Sequence, residues 1–99
     1  MPIPPSKMSV TVRDIGSIVS SESYGTLTVE LKKPLNADAL DGIEEWSHCW
    51  LITEISGQLH AYFCEILRRE KRCILLKAFT YIDPNSAVVD LKPVHSLDL

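Results

Sequence analysis

Two charged residues near the end of the chain, Asp90 and Lys92, are spaced so that both could act on one ligand. Residues two positions apart on a strand project to the same face, with Cα atoms about 6.6 Å from each other. A carboxylate and an ammonium placed in this way could hold a polar ligand. Alternatively, they form an exposed ion pair worth about 0.2 to 1 kcal/mol that only orients the chain end.

Ser47 and His48 are adjacent and therefore cannot work as a nucleophile and its base. Neighbouring residues of a strand point to opposite faces, which separates the hydroxyl from the imidazole ring. The alternation instead places His48 on one face with Trp46 and Trp50. A histidine in such a position is either packed in a core or interface, or contacts a ligand.

The remaining histidines and the three cysteines lack the spacing of a metal site. Cys49, Cys64 and Cys73 form an odd set without a C-x-x-C motif, and each lies in an apolar run typical of a reduced, buried thiol. His60 and His95 have no partner at ligand spacing. We therefore expect no metal, and the free thiols predict a reducing compartment, the cytoplasm or the nucleus.

The charge pattern argues modestly against direct binding of nucleic acid. The 99 residues carry a formal net charge of -3, so a nucleic-acid partner would need a local basic patch. The one basic cluster is Arg68, Arg69, Lys71 and Arg72, extended by Lys77. Glu70 interrupts it and no aromatic residue interleaves with it, which favours a solvated hairpin tip over an RNA contact.

Alternating and β-branched patterns predict a domain built mainly of strands. Leu27, Val29 and Leu31 alternate with polar residues over 26–32, the clearest half-buried strand. We also expect a strand over 9–20 with a bulge or bend at Gly16, and a helical turn capped by Asn36 and ended by Gly42. Further predicted elements are a central strand over 46–55 that organises the core, a turn over 83–86 and a last strand over 87–92.

Residues 59–80 allow two interpretations. Strands over 59–68 and 73–80 would form a hairpin around the charged tip, whereas the apolar spacing of 59–67 also fits a helix reaching residue 71. Trp46, Trp50, Tyr62 and Phe63 could stack on a base, although in a domain of this size they are expected to form the core first. No apolar run approaches the ~18 residues that a membrane helix needs, so no membrane association is expected.

Two longer motifs resemble the TsaA-like family, small β-barrel proteins of which some methylate transfer RNA with S-adenosylmethionine. Residues 39–50, ALDGIEEWSHCW, are similar to the family pattern L-x-G-[LI]-x-x-[FW]-S-H-x-W, and 88–93, VVDLKP, resemble its V-L-D-I-K-P run. The resemblance extends over about 12–93. It implies strands for 59–80, a homodimer with the motifs near the subunit boundary, and Asp90, Lys92 and His48 as residues that contact cofactor or substrate.

The chain departs from the family between the two motifs. Where the family has an arginine-rich loop ending in R-P-N-P-I-G, which forms much of the S-adenosylmethionine pocket, this sequence has only Ser56, Gly57 and Gln58. Three residues allow a hairpin turn but not the concave walls that cover a small molecule. Val94 also replaces a family tyrosine. A segment lost from the coding sequence would leave the same gap.

These observations together predict an all-β fold. We expect residues 1–8 to form a flexible proline-rich arm, and 9–99 to form a closed or nearly closed barrel of about six mainly antiparallel strands with one helical turn. An edge left open by the missing loop would favour a homodimer.

Two functions follow from the resemblance. The favoured one is a catalytically degenerate binding module for a protein, RNA or nucleotide. The alternative is a minimal methyltransferase that uses S-adenosylmethionine to modify the exocyclic amine of threonylcarbamoyl-adenosine beside the tRNA anticodon, with a dimer mate supplying the missing pocket wall.

Overall fold

The computed structural model of the chain describes Met8, residues 12–22 and residues 25–94. Within this part the backbone forms strands with one short helix, which confirms the all-β prediction. The elements are β1 (Val12–Glu22), β2 (Thr26–Leu31), α1 (Ala37–Gly42), β3 (His48–Ile55), β4 (Gln58–Arg69), β5 (Cys73–Ala78) and β6 (Ala87–Pro93).

The strands close into an antiparallel barrel in the order β1, β2, β5, β4, β3, β6, with β6 pairing back to β1. Each described strand therefore has a neighbour on both sides. The expectation of an open edge is wrong, because a two-residue turn joins β3 directly to β4 while β6 lies between β3 and β1. Closure satisfies the backbone groups that a free edge would expose.

The inner face of the barrel carries the predicted apolar residues. Leu27, Val29 and Leu31 of β2 are all buried, which confirms the alternation expected there. Met8, assigned above to the arm, is also buried in this core. Residues 1–7 and the predicted strand start at Ser9 lie outside the described residues. Other members of the core are Ile43, Cys49, Leu51, Cys64, Ile66, Ile74, Leu76, Ala78, Ile82, Val88 and Leu91.

Gly16 marks an irregularity in β1, as the sequence predicts. The register between β1 and β6 shifts between Arg13 and Gly16. Gly16 has a φ of +140°, and a Cβ at this position would lie 2.0 Å from the carbonyl oxygen of Glu30 on β2. Only glycine allows the two backbones to approach this closely.

Residues 58–69 form the long strand β4, so the alternative of a helix over 59–71 is wrong. Pairing with β3 on one side and β5 on the other satisfies the backbone of β4, and its register buries Cys64 and Ile66. The helical spacing of apolar residues was misleading because large side chains also occupy the outer face of this strand. Tertiary pairing outweighs such local periodicity.

The charged tip between β4 and β5 is solvated but held in place. Arg68 and Glu70 are exposed, as predicted, whereas the half-buried Arg69 donates from Nε to the carbonyl oxygen of Leu40 at 2.9 Å. Backbone amides of Leu31 and Leu35 donate to the carbonyl oxygens of residues 72 and 71, each at 2.8 Å. The tip is thereby joined to β2 and to the end of α1.

The predicted cap and turn are both present. The Asn36 side chain accepts from the backbone N–H of Ala39 at 2.8 Å, which satisfies a free amide of the first helical turn. At the turn before β6, the Asp83 side chain accepts from the amide of Asn85 at 2.9 Å, and its carbonyl accepts from the amide of Ser86 at 3.0 Å. Such local bonds explain why these residue types favour turns.

Candidate functional site

The chain entering β3 does not follow the predicted extended path. The strand begins at His48, and Trp46 before it has a left-handed φ of 70°. The Trp46 amide donates to the Ile66 carbonyl at 2.6 Å, and the Ile66 amide donates to the Ser47 carbonyl at 2.8 Å. Trp46 and Ser47 thus both pair with Ile66, as the two residues on the bulged strand of a β-bulge do. The prediction of a strand starting at Trp46 is wrong, because the bulge turns the chain before pairing with β4 becomes regular.

Where the bulge leads into β3, Ser47 and Cys49 are buried and His48 between them is exposed. The separation of Ser47 from His48 agrees with the exclusion of a hydrolase pair. Trp50, also on the outer face, is half-buried and donates from Nε1 to the Val94 carbonyl at 3.2 Å. The motif SHCW therefore presents an imidazole and an indole on the barrel exterior.

Phe63 on β4 lies directly across from Trp50 and packs against three neighbouring rings. Its ring stacks on His48 with centroids 5.0 Å apart, meets Trp50 edge to face at 5.4 Å, and lies 5.9 Å from Phe79. Pairs at these distances contribute about 0.5 to 1.5 kcal/mol each beyond area burial. We call His48, Trp50, Phe63 and Phe79 the outer aromatic surface.

The outer aromatic surface was not expected from the sequence, which assigned its large rings to the core. Phe63 is 39% exposed and Trp46 is 66% exposed. Tyr62 packs against the core, but only as a partly buried residue. The prediction is wrong for Phe63 and Trp46 because the interior of this narrow barrel is filled by aliphatic side chains and two cysteines.

Asp90 and Lys92 share the outer face, as their spacing predicts, because Leu91 between them is buried. Lys92 pairs in register with Trp50, and Asp90 pairs with Ile52 one row further along. Within the described part of the chain no salt bridge joins Asp90 to Lys92. The structure thus brings Lys92 and His48 to the outer aromatic surface, with Asp90 at its border.

Both signs of charge surround these rings. His48 Nε2 lies 3.8 Å from Glu65 Oε2, with side chains 42% and 24% exposed, so a protonated imidazole would make a weak, solvated ion pair. The ammonium of Lys77 lies 5.8 Å from the centroid of Phe79. Lys77, Lys92, Glu65 and Asp90 thus place two positive and two negative charges around the rings.

The cysteines take no part in this surface. Cys49 and Cys64 are paired in register and face the core, where burial raises the pKa of the Cys64 thiol to about 12. Burial, followed by the neighbouring Cys64, raises the pKa of Cys49 further still above its ordinary value. Cys73 is only half-buried, which corrects the expectation of a third buried thiol. Its Sγ donates to Glu70 Oε2 at 3.3 Å, and this bond raises its pKa.

The connection between β3 and β4 is as short as the sequence predicts. Ile55 pairs directly with Gln58, and Ser56 and Gly57 between them have φ values of 53° and 80°. Two successive residues with positive φ form the tight turn that matches the twist of a hairpin, and glycine adopts such a φ at little cost. The turn closes the hairpin without a loop that could rise over the outer face.

The chain also forms clefts away from the predicted site residues. One, of about 470 Å³, lies where β2 begins and β5 ends, and another, of about 230 Å³, lies beside Arg68 and Cys73. Neither is lined by Asp90, Lys92 or His48. Among the described residues no three His, Cys, Asp or Glu side chains are grouped as metal ligands, and no helix is long and apolar enough to cross a membrane.

Sequence reasoning did not single out Glu65 or Phe79. The available signal was the alternation of neighbouring strands: burial of Cys64 and Ile66 turns Glu65 outward, and burial of Ala78 precedes the exposed Phe79. The contact of Glu65 with His48 and that of Phe79 with Phe63 depend on the register between strands, which a local sequence pattern does not reveal.

Comparisons of the chain with protein-family models, with curated proteins and with solved structures found no match. The resemblance to the TsaA-like family stays a prediction based on the motifs quoted above.

Proposed function

We propose that this chain is a shortened TsaA-like domain that binds a partner and does not transfer methyl groups. The observation that carries the proposal is the turn of Ser56 and Gly57, which joins β3 to β4 where the resembling family has its cofactor loop. A site for S-adenosylmethionine must cover most of the ligand with concave walls. The outer face of β3 and β4, away from this turn, instead presents exposed and half-buried rings suited to a broad contact.

The partner that best suits the outer aromatic surface is a second copy of the chain. A two-fold interface brings one patch against itself, so a patch that carries charges avoids like-charge repulsion only if both signs are present. Lys92 and Lys77 with Glu65 and Asp90 meet this requirement around the aromatic centre, and depletion of charge at an aromatic centre is typical of interfaces. The two acidic groups disfavour a phosphate backbone, which argues against RNA here.

Titration calorimetry with S-adenosylmethionine tests the loss of catalysis. The purified chain is expected to give no saturable heat at micromolar ligand, because the short turn leaves the adenosine and the sulfonium uncovered. A TsaA-like protein with the complete loop serves as the positive control. Micromolar binding by the present chain would overturn the proposal.

A minimal tRNA methyltransferase is the second candidate. It is favoured by the placement of Asp90 and Lys92 on one outer face, with Lys92 opposite Trp50. A carboxylate, an ammonium and an indole together could align a base and a methyl donor, and alignment is the main requirement of methyl transfer. A dimer mate would have to supply the missing wall. Incubation with threonylcarbamoyl-adenosine tRNA and radioactive S-adenosylmethionine tests it, and absence of labelled tRNA excludes it.

A further inference from the structure

The larger cleft has the size of a small-molecule site. Its volume of about 470 Å³ falls within the range of about 300 to 1,000 Å³ typical of such sites. The buried core residues Leu27, Ala78 and Ile82 contribute to its lining. The Ala78 amide donates to the Gly25 carbonyl at 2.6 Å, which fixes the spacing of β2 and β5 at this end of the barrel.

Two aromatic side chains line the cleft with unusually large exposure. Phe79 is 58% exposed and Tyr81 is 79% exposed. Phe79 packs against Phe63 with ring centroids 5.9 Å apart, and in the described part of the chain Tyr81 makes no ring contact. A planar ligand entering the cleft would cover apolar ring surface that otherwise faces water. Because Phe79 already packs against Phe63, binding needs less ordering of this part of the cleft.

The electrostatics of the cleft favour an anion. Among the described residues lining it, Lys77 alone is charged, and its ammonium lies over the Phe79 ring at 5.8 Å. Glu65 pairs in register with Lys77, but the Glu65 carboxylate lies on His48, and no salt bridge from it to Lys77 is found in the described part of the chain. The Lys77 ammonium therefore lies beside the Phe79 ring, and its charge is available to a ligand.

We propose that this cleft binds a planar aromatic ligand carrying a phosphate or carboxylate group. The ring lies against Phe79 and Tyr81, and the anionic group pairs with Lys77. The site goes beyond the proposed interaction function and does not require it, since the cleft is formed by one chain. Phe79 and Lys77 belong to both the cleft and the border of the outer aromatic surface, so ligand and second copy would compete for them. A nucleotide and an aromatic acid share this chemistry.

Two matched pairs of probes separate these sources in amide NMR titrations of the full chain. AMP is compared with adenosine, and indole-3-acetate with its neutral analogue indole-3-ethanol; inorganic phosphate alone is the third arm. Binding at the cleft is expected to shift the amides of Gly25 and residues 78–82. The charged member of at least one pair should bind about three- to fivefold more tightly than the neutral one, as expected for a solvated charge pair. Phosphate alone should bind more weakly than AMP.

Variants assign the roles within the cleft. Lys77→Gln is expected to abolish the advantage of the charged probe and to leave the neutral probe unchanged. Phe79→Ala should weaken both members of a pair about two- to tenfold. Leu59→Ala is the matched control, because Leu59 is also 58% exposed but lies near the hairpin end of β4. Absence of shifts with every aromatic probe at millimolar concentration, or equal weakening of charged and neutral probes by Lys77→Gln, would overturn the proposal.

The same titrations in Phe63→Ala distinguish the cleft from the proposed dimer interface. If both proposals hold, this variant loses dimerisation while retaining preference for the charged probe. A monomeric wild-type chain that still binds the charged probe would reject the dimer alone. A wild-type dimer that binds none of the aromatic probes, together with a monomeric Phe63→Ala variant that also binds none, would reject the cleft alone.

Discussion

Trp46 has a backbone conformation that its residue type does not favour. A φ of 70° costs a non-glycine residue roughly 1 to 2 kcal/mol, and the ring gains little in return because it is 66% exposed. Glycine is the usual residue for a bulge of this kind. We infer that the strain is tolerated because Trp46 and Ser47 set the start of β3, from which His48 and Trp50 point outward.

Comparison of Trp46→Gly with Trp46→Ala isolates the backbone strain. Both substitutions remove the ring, but only glycine adopts the left-handed φ without a Cβ conflict. Trp46→Gly is expected to be about 1 kcal/mol more stable than Trp46→Ala, in spite of the greater freedom of glycine in the unfolded chain. Urea unfolding monitored by circular dichroism gives both values. An alanine variant as stable as the glycine variant would show that the strain is negligible.

The buried thiols make folding stability depend on alkaline pH. Burial raises the pKa of Cys64 from 9.0 to about 12, so above pH 9 the unfolded chain releases a proton that the folded chain retains. The contribution of Cys64 is complete below pH 9 and is lost as pH rises toward 12, by about 1.4 kcal/mol per pH unit within that window. Cys64→Ala should therefore flatten the decline of unfolding free energy above pH 9.

The control for this prediction is Val29→Ala, which truncates another buried side chain without removing a thiol. It should lower stability at every pH but keep the alkaline slope of the wild type. Unfolding free energies measured from pH 8 to pH 10.5 provide the comparison. Parallel slopes in Cys64→Ala and the wild type would contradict the assignment.

At the scale of elements, one side chain links the β4–β5 tip to the helix. Arg69 donates to the carbonyl of Leu40 near the end of α1, whereas its neighbour Arg68 is exposed. Arg69→Met should lower the free energy of unfolding by about 1 kcal/mol, the typical net contribution of a hydrogen bond. Arg68→Met should change it by less than about 0.5 kcal/mol. Chemical denaturation of both variants measures the difference, and equal losses would show that the bond contributes no stability.

Elements with strong local signals could be predicted from the sequence. Alternation of Leu27, Val29 and Leu31 identified β2, and Asn36 identified the cap. The stretch Ser56, Gly57 and Gln58 identified the tight turn, although Gln58 already belongs to β4. The span of β4 was less certain, because its apolar residues fit two periods. Its strand conformation depends on hydrogen bonds to β3 and β5, and the apolar spacing within residues 59–67 does not reveal this pairing.

The candidate site could be predicted only in part, for a related reason. Two-residue spacing placed Asp90 and Lys92 on one face, but the neighbour of Lys92 is Trp50, some forty positions earlier. Phe63 was assigned to the core because large rings are usually buried. Whether a strand turns a ring inward or outward depends on which face the closing sheet encloses, and this is fixed by register and curvature.

At the scale of the whole molecule, association of the outer aromatic surface should be visible in solution. Sedimentation of the wild-type chain is expected to show a dimer at micromolar concentration. Phe63→Ala removes the residue that contacts His48, Trp50 and Phe79, so its dimer dissociation constant should rise at least about 30-fold, as for a central aromatic anchor losing about 2 kcal/mol. A wild-type chain that sediments as a monomer would reject the interface.

Leu59→Ala again serves as the control, because it removes another exposed apolar side chain of β4, near the hairpin turn and outside the outer aromatic surface. Its dimer dissociation constant should match that of the wild type. Thermal unfolding of both variants shows whether the folded state persists. A loss of dimer in Leu59→Ala as large as in Phe63→Ala would indicate an interface elsewhere on the barrel.

The pairing of β6 with β1 has a consequence for how this molecule can change. Because the described strands pair their main-chain donors and acceptors with one another, a binding partner cannot add a strand to the sheet. Affinity must come from protruding side groups, which can be exchanged one by one without disturbing the scaffold. Substitutions of these outward-facing side chains can therefore change what the protein binds while the barrel stays the same.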